Sequence, residues 1–457
     1  MRLSIDRSKK YQSFAGFGAS GAWWAQIVGG WTKPGASGMP VLDEIANLLY
    51  GKTGGIGMRT YRYNLGAGSA DSGKGSYGDP ARRTHSLTDE TGAIDLSRDK
   101  NAVDMLRACV KAGAEEAVVF VNSPPESLTK NGMAHLSKHR VFRTNLSRKN
   151  IPAFADYVLK AADALKKEGI PVRDISPVNE PFWVWNGGQE GCHYSPRQAS
   201  RVLRCFAKKL NDCPALANVR LAGMENGDIR WRNKSYTRAL LRYQEVRERV
   251  AGIDLHSYFL PMPPFMPLKL LNDRPAFLRR YRKWLDRRFP GVPVRMSEWC
   301  HMQGGRDAGM DSALQTAKVI WEDLTLLNVS AWQHWIACSL YDYCDGLLYL
   351  DVENESYTLT KRWAVTGNFS KYIPTGAVRV EVVADAPDVK AVSFTGDGKT
   401  VTVLIHSGKT PETLTLSAPT LVSVTDETRD MEETRSDAGD TLTVPPRSVV
   451  TIVTEDR

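Results

Sequence analysis

Between residues 15 and 336, short runs of β-branched and aromatic residues alternate with longer stretches in which apolar side chains recur every three to four positions. The runs fall at 14–20, 57–64, 117–122, 174–179, 219–224, 253–258, 292–298 and 330–336. The periodic stretches fall near 40–50, 99–112, 151–168, 197–211, 234–249, 275–288 and 310–327. The stretch at 151–168 carries the punctuation of a helix. Asn150 is placed to cap it, Pro152 sits in its first turn and Gly169 ends it, while Ile151, Phe154, Val158, Ala162 and Leu165 share one face. Eight strands alternating with crossover helices predict an α/β fold closed into a (β/α)8 TIM barrel. An open doubly wound sheet is the rival, but no GxGxxG turn follows an early strand.

Near residue 375 the period shortens. Runs at 378–383, 389–394, 401–405, 414–416, 422–424, 442–444 and 449–453 read as strands, separated by turn signals such as Thr395-Gly396-Asp397-Gly398. They predict an attached all-β sandwich domain, and the first dozen residues, opening Leu3-Ser4-Ile5-Asp6, are expected to add a strand to it. Residues 13–370 are then the catalytic barrel, and 1–12 with 371–457 the side domain. The Gly-, Ser- and Asp-rich segment 66–97 follows the second strand, on the face where barrel loops shape a cleft.

Composition narrows the class. The chain has 457 residues, 42% hydrophobic and 24% charged, enough for a large core, which excludes disorder and collagen-like repeats. No run approaches the roughly eighteen apolar residues of a membrane span. Seven cysteines (109, 192, 205, 213, 300, 338, 344) form no CxxC pair, which fits a reducing compartment. The start, Met1-Arg2-Leu3-Ser4-Ile5-Asp6, has no apolar leader, so a cytoplasmic location is expected, or secretion if the N-terminus has been trimmed. The net charge of +9 divides unevenly: from Gly376 onward there are 8 Lys and Arg against 14 Asp and Glu, so the excess sits on the barrel. The densest run, Arg279 to Arg288, interleaves Leu278, Tyr281, Trp284 and Leu285 at helical spacing and reads as a solvated helix face, not a nucleic-acid site. No membrane or nucleic-acid partner is expected, and no pattern fixes an oligomeric state.

Two glutamates stand out by position. Glu180 lies in Val178-Asn179-Glu180-Pro181 at the end of the fourth strand, and Glu298 in Met296-Ser297-Glu298-Trp299 at the end of the seventh. A barrel sets these ends across its mouth from each other. Paired carboxyls suit glycosidic cleavage, where one protonates the leaving oxygen and the other attacks or activates water, and their pKa values must differ. Phe182, Trp183 and Trp185 beside Glu180 suit stacking on sugar rings. Other strand ends offer Arg62 and Asn64, Asn122, His256 and Tyr258, and Gln333-His334-Trp335, where Trp335 is placed to floor the subsite nearest the cleaved bond. His193, His256, His301 and His334 show no metal-ligand spacing, so neither a metal nor a cofactor is expected.

These motifs resemble glycoside hydrolase family 30 of clan A. The resemblance rests on Gln12–Ser20 with Trp23-Trp24, Arg62-Tyr63-Asn64-Leu65-Gly66, Asn122-Ser123-Pro124-Pro125, the two glutamate motifs, Trp332–Trp335 and Gly367–Gly376. It implies a barrel with a β-sandwich that takes in the N-terminal strand. It also implies a retaining mechanism with Glu180 as acid/base and Glu298 as nucleophile, their carboxyls roughly 5–5.5 Å apart. Trp23, Trp24, Asn179 and Trp183 join the implied substrate-binding set. The tract Asn186–His193 and the Ala22–Ala25 block resemble the subfamily acting on β-1,6-linked galactan. β-Glucosylceramidases, glucuronoxylanases and β-1,6-glucanases are the competing specificities. A non-catalytic carbohydrate binder is the other class, and retention of both glutamates argues against it. The chain departs from the family pattern at Glu126-Ser127-Leu128, where members commonly carry a residue and then Trp-Met. The expected substrates are β-1,6-galacto-oligosaccharides, attacked from a chain end.

Overall fold

The computed structural model describes residues 1–73, 77–136, 143–259 and 272–456. Its first ten strands are β1 (Leu3–Ser13), β2 (Phe17–Ser20), β3 (Thr60–Asn64), β4 (Glu116–Phe120), β5 (Val172–Ser176), β6 (Arg220–Leu221), β7 (Asn226–Asp228), β8 (Ile253–Tyr258), β9 (Val294–Trp299) and β10 (Val329–His334). All but β1 form one parallel sheet in the order β6-β5-β4-β3-β2-β10-β9-β8-β7. The order runs outward from β2 in both directions and returns to one segment of chain, so the sheet curls into a barrel. Its two ends are β6, inside the run expected at 219–224, and β7, just beyond that run, and Leu221 bridges Val250 across the seam. That strand is shorter than expected: it stops at Leu221, and Met224 and Glu225 take left-handed φ angles of 54° and 22°. Such a backbone is uphill for residues with a Cβ, and here it carries Glu225 in among the barrel's buried side chains.

Helices occupy the predicted intervals at Val41–Tyr50, Lys100–Ala112, Ile151–Lys167, Pro196–Asn211, Arg274–Arg288 and Met310–Glu322. The interval 234–249 breaks into Asn233–Leu240 and Gln244–Arg247, and 310–327 finishes as a π turn over Asp323–Leu327. Pro196–Asn211 starts on a capping box in which Ser195 and Gln198 satisfy each other's backbone N–H groups. Asn150 does not cap Ile151–Lys167 as expected. Its amide donates instead to the Leu128 carbonyl at 2.7 Å, tying the helix start to the preceding loop. In Arg274–Arg288 the buried side chains are Leu278, Tyr281 and Leu285, and Arg279, Lys283 and Arg287 face solvent.

After the barrel come β11 (Cys338–Ser339), β12 (Leu348–Asp351) and β13 (Ser356–Leu359), a small sheet absent from the sequence reading. Next come β14 (Val378–Ala384), β15 (Val389–Gly396), β16 (Lys399–His406), β17 (Glu412–Thr415), β18 (Thr420–Thr425), β19 (Glu432–Ser436), β20 (Thr441–Val444) and β21 (Ser448–Glu455). A seven-stranded sheet runs β1-β14-β15-β16-β21-β18-β19, and β17 pairs with β20. β1 joins as expected, antiparallel to β14 from Leu3↔Ala384 to Ser13↔Val378. The sandwich shares its core with the barrel: the Phe14 ring lies 4.9 Å from Phe17 and 5.6 Å from Phe394. All seven cysteines are free. Among the described residues no helix is long and apolar enough to cross a membrane.

Arg295 binds Asp254 through two N–H···O contacts of 2.7 and 2.9 Å and reaches Asp174 as well, joining β9, β8 and β5. The two aspartates are almost wholly buried. Removing the cation leaves buried Asp254 with no cationic partner among the described residues and Asp174 with Arg220 alone, so Arg295→Met is expected to destabilise the fold by about 3–5 kcal/mol, read as a lower denaturant midpoint. An unchanged midpoint would show that the aspartates find other partners.

Candidate active site

The loops beyond the C-terminal strand ends enclose a cleft of about 950 Å³. Of the predicted residues, Trp23, Glu180, Trp183, Tyr258, Glu298 and Trp335 line it directly. Glu298 lies within β9, whereas Glu180 sits four residues beyond the end of β5. Glu180 adopts a left-handed φ of 40°. Its backbone N–H donates to Glu225 O at 2.9 Å, and its carbonyl accepts from the Trp185 indole at 3.1 Å, which holds the turn. Gly227 makes the approach possible: a Cβ there would stand 2.1 Å from the Trp183 Nε1 and 2.6 Å from Glu180 Oε1.

The two carboxyls share one imidazole. His256 Nδ1 lies 2.8 Å from Glu180 Oε1 and 3.3 Å from Glu298 Oε1. Burial and the nearby Arg62 charge push the His256 pKa well down, so the ring is neutral, and the two carboxyl oxygens facing Nδ1 assign its proton to that nitrogen. Glu298 is further held by Arg62 Nη1 at 3.0 Å and by the Tyr258 hydroxyl at 3.2 Å. Arg62 in turn donates through Nη2 to both oxygens of Glu225 at 3.2 Å, and Ser176 donates to Glu225 Oε2 at 2.5 Å. The guanidinium also packs 4.2 Å from the Phe120 ring centre.

Burial raises both carboxyls of the pair, but unequally. Glu180 is pushed well up by burial and by the charges of Glu298 and Glu225. Glu298 is raised by burial and Glu225, and drawn back by the charge and hydrogen bond of Arg62 and the hydrogen bond of Tyr258. Of the two, Glu298, paired with Arg62 and Tyr258, is therefore the more readily ionised, and Glu180 the one that holds its proton longer. Glu225 raises both groups, so Glu225→Gln is expected to move both limbs of the pH profile of kcat/KM to lower pH. Limbs that stay in place would show that the Glu225 charge is not felt in the cleft.

Glu180, His256 and Glu298 also bring three ligand-type atoms within 4.8 Å of one another. A cation there would displace the His256 hydrogen bonds and stand close to the Arg62 guanidinium, whose charge opposes it.

The remaining predicted residues divide. Asn179 Nδ2 donates to Asn122 Oδ1 at 2.9 Å, and Asn122 Nδ2 to Asn64 Oδ1 at 3.0 Å, a buried amide chain across β3, β4 and β5. Asn179 Oδ1 and Asn64 Nδ2, its two ends, are buried without protein partners. Trp23 packs edge-on to Trp335, ring centres 5.4 Å apart. Trp24 lies apart from the cleft: it is buried in the core, and its indole donates to the Ser20 carbonyl at 2.8 Å. The segment from Glu126 that departs from the family pattern does not contribute to the cleft lining; Glu126 is buried and accepts from the Tyr77 hydroxyl and from Ala134 N.

The sequence reading missed Glu225, Ser176 and Arg82. Glu225 was legible in part, since Met224-Glu225-Asn226-Gly227-Asp228 gathers a glycine, an amide and two carboxyls at a strand end. Arg82 emerges from the segment after β3 and sits against Trp23 and Tyr341, 4.9 and 4.8 Å from their ring centres, with Nη1 3.3 Å from Gln189 Oε1. Among the described lining residues it is the only basic side chain, against Glu180, Glu298, Asp342 and Asp345. Among the described residues, the basic excess of the barrel therefore lies outside the cleft lining.

Facing carboxyls ringed by indoles at the C-terminal mouth of a parallel barrel mark a barrel enzyme that acts on carbohydrate. The family model for O-glycosyl hydrolase family 30 matches residues 1–242 and 292–349, and the model for the family 30 β-sandwich domain matches 376–452. The chain belongs to glycoside hydrolase family 30. It is 23% identical over 447 residues to an endo-β-1,6-galactanase of Hypocrea rufa, covering 90% of this chain and 82% of that protein. It is 26% identical to the lysosomal acid glucosylceramidase of Mus musculus over 59% of this chain and 52% of that protein. Among solved structures, a conserved exported protein from Bacteroides fragilis superposes with a TM-score of 0.86 at 22% identity, covering 99% of this chain and 100% of the other. The catalytic domain of xylanase C from Talaromyces cellulolyticus gives 0.74 at 19%, covering 99% of each chain.

Proposed function

We propose that the protein is a retaining β-glycosidase that cleaves β-1,6-linked galactan or galacto-oligosaccharides, with Glu180 as acid/base and Glu298 as nucleophile. The observation that carries the mechanism is the shared His256 contact, which leaves oxygens of the two carboxyls within 4.8 Å. That spacing favours direct attack, because an inverting pair stands wider to admit a water. The ionised Glu298 carboxylate attacks the anomeric carbon while Glu180 gives its proton to the departing glycosidic oxygen, leaving a glycosyl ester on Glu298. Glu180, now a carboxylate, takes a proton from water as the water attacks the same carbon, and the ester bond breaks to regenerate Glu298. Arg62 and Tyr258 hold the nucleophile and receive it again as the leaving carboxylate. The free Asn179 carbonyl offers an acceptor to a sugar hydroxyl, and Trp335 a stacking surface.

The galactan assignment is supported by the likeness to the Hypocrea rufa enzyme and by the tract after Glu180. Attack from a chain end is supported by Arg82, which with Trp23, Tyr341 and Gln189 walls the cleft beside Trp335. A hydrolysis screen over β-1,6-galactan, xylan, β-1,6-glucan and aryl β-glycosides, with product sizing, tests all of this. The expected result is galactose or galactobiose from β-1,6-galactan. Cleavage of xylan or β-glucosides with none of galactan would replace the substrate assignment. A ladder of long products would replace the exo reading.

A further inference from the structure

Two acids lining the cleft, Asp342 and Asp345, take no part in the catalytic pair, and Asp345 is the buried one. Asp345 lies on the loop between β11 and β12 and lines the cleft with Trp335, Tyr341 and Arg82. It is 6% exposed. Its backbone carbonyl accepts from His334 Nε2 at 2.7 Å, so the residue is pinned to the end of β10, whose next residue is Trp335. Burial pushes the His334 pKa down to about 3, so that ring is neutral and donates through Nε2.

The side chain is less well provided for. Asp345 Oδ1 is buried with no protein donor, which is uphill for a carboxyl oxygen unless a ligand supplies the hydrogen bond. Burial raises this carboxyl, opposed by the Ser339 hydroxyl and by the Arg362 and Arg82 charges. A pyranose stacked on Trp335 with its anomeric carbon at Glu298 directs the opposite edge of its ring, with the 3- and 4-hydroxyls, away from the breaking bond. Asp345 lines the same cleft as Glu298 and Trp335, its backbone held by His334 beside Trp335, and Arg82 and Tyr341 line it in contact with each other. A carboxylate accepts two adjacent hydroxyls at once.

We propose that Asp345 grips the 3,4-hydroxyl edge of the sugar bound at Glu298 and so sets which glycone the enzyme accepts. This rests on the reading of the cleft as a glycosidase site.

The test compares 4-nitrophenyl β-glycosides in galacto and gluco configurations with their 3-deoxy and 4-deoxy analogues, on wild type, Asp345→Ala and the isosteric Asp345→Asn. In the wild type, loss of the gripped hydroxyl is expected to lower kcat/KM by about 10²-fold. Asp345→Ala should lower kcat/KM for the parent sugar by a similar factor and lose nothing more on the deoxy sugar. Equal losses on parent and deoxy sugars in both proteins, or variants indistinguishable from wild type, would overturn the proposal.

A binding arm separates this from the hydrolase reading: calorimetric titration of methyl β-glycosides and their deoxy analogues into Glu298→Gln, with and without Asp345→Ala. If wild type cleaves nothing, the hydrolase reading falls, and affinity that depends on the hydroxyl only when Asp345 is present still supports the grip. No binding, or the same hydroxyl dependence without Asp345, overturns it.

Discussion

With Glu298 in the proposed role of nucleophile, Glu298→Gln is expected to lower kcat by at least about 10⁴-fold with the fold intact, since it removes the attacking carboxylate. The amide keeps the shape of the side chain, and its oxygen can still accept from Arg62 or Tyr258. What it lacks is the charge that attacks carbon. The shorter Glu298→Ala leaves a gap beside the Arg62 guanidinium, which is fit to receive a small anion. With an aryl galactoside and added azide, turnover should return, and the product should be the α-glycosyl azide, because azide attacks from the face that Glu298 has vacated. Chiral analysis of the product by NMR reads this directly. Near-wild-type turnover in Glu298→Gln without added nucleophile would remove Glu298 from the role.

Glu180→Ala should behave in the complementary way. On galacto-oligosaccharides, whose leaving group must be protonated, kcat/KM is expected to fall by about 10²–10⁴-fold. On a dinitrophenyl glycoside the leaving group needs no proton, so the first step persists and the glycosyl ester on Glu298 accumulates, seen as a burst of phenolate. Azide then attacks that ester from the side Glu180 once governed and gives the β-glycosyl azide. The basic limb of the pH profile should vanish with the side chain. The two azide anomers thus assign the roles independently of any rate: if the α product came from Glu180→Ala and the β product from Glu298→Ala, the roles would be exchanged.

The barrel was legible because its strands and helices follow different hydrophobic periods, and every predicted barrel run overlaps an observed strand. Legibility failed where polar residues perform structural work. β19 reads Glu-Glu-Thr-Arg-Ser, an edge strand with no apolar alternation to betray it. The end of the fifth barrel strand hides a reversal of backbone hand at Met224 and Glu225, and the long-range Arg62–Glu225 contact has no local signature. Adjacent tryptophans illustrate the same limit: Trp23 reaches the cleft and Trp24 the core, and nothing in the dipeptide itself says which does which. That Glu180 and Glu298 meet in one cleft was legible, because one lies just beyond a barrel strand and the other at the end of one. Arg82 and Asp345 come from loops, where spacing carries no geometry.

The pairing of β1 with β14 also sets a timetable. Leu3 is synthesised before the barrel and its partner Ala384 only after it, about 20 to 80 s later at about 5–20 residues/s. Until then β1 is an unpaired edge, and its own composition guards it: Asp6, Arg7, Lys9 and Lys10 place charge along the strand, which discourages pairing with a neighbouring nascent chain. A strand made ahead of the barrel therefore waits for one made after it, and the β1–β14 pairing ties the start of the barrel to the sandwich.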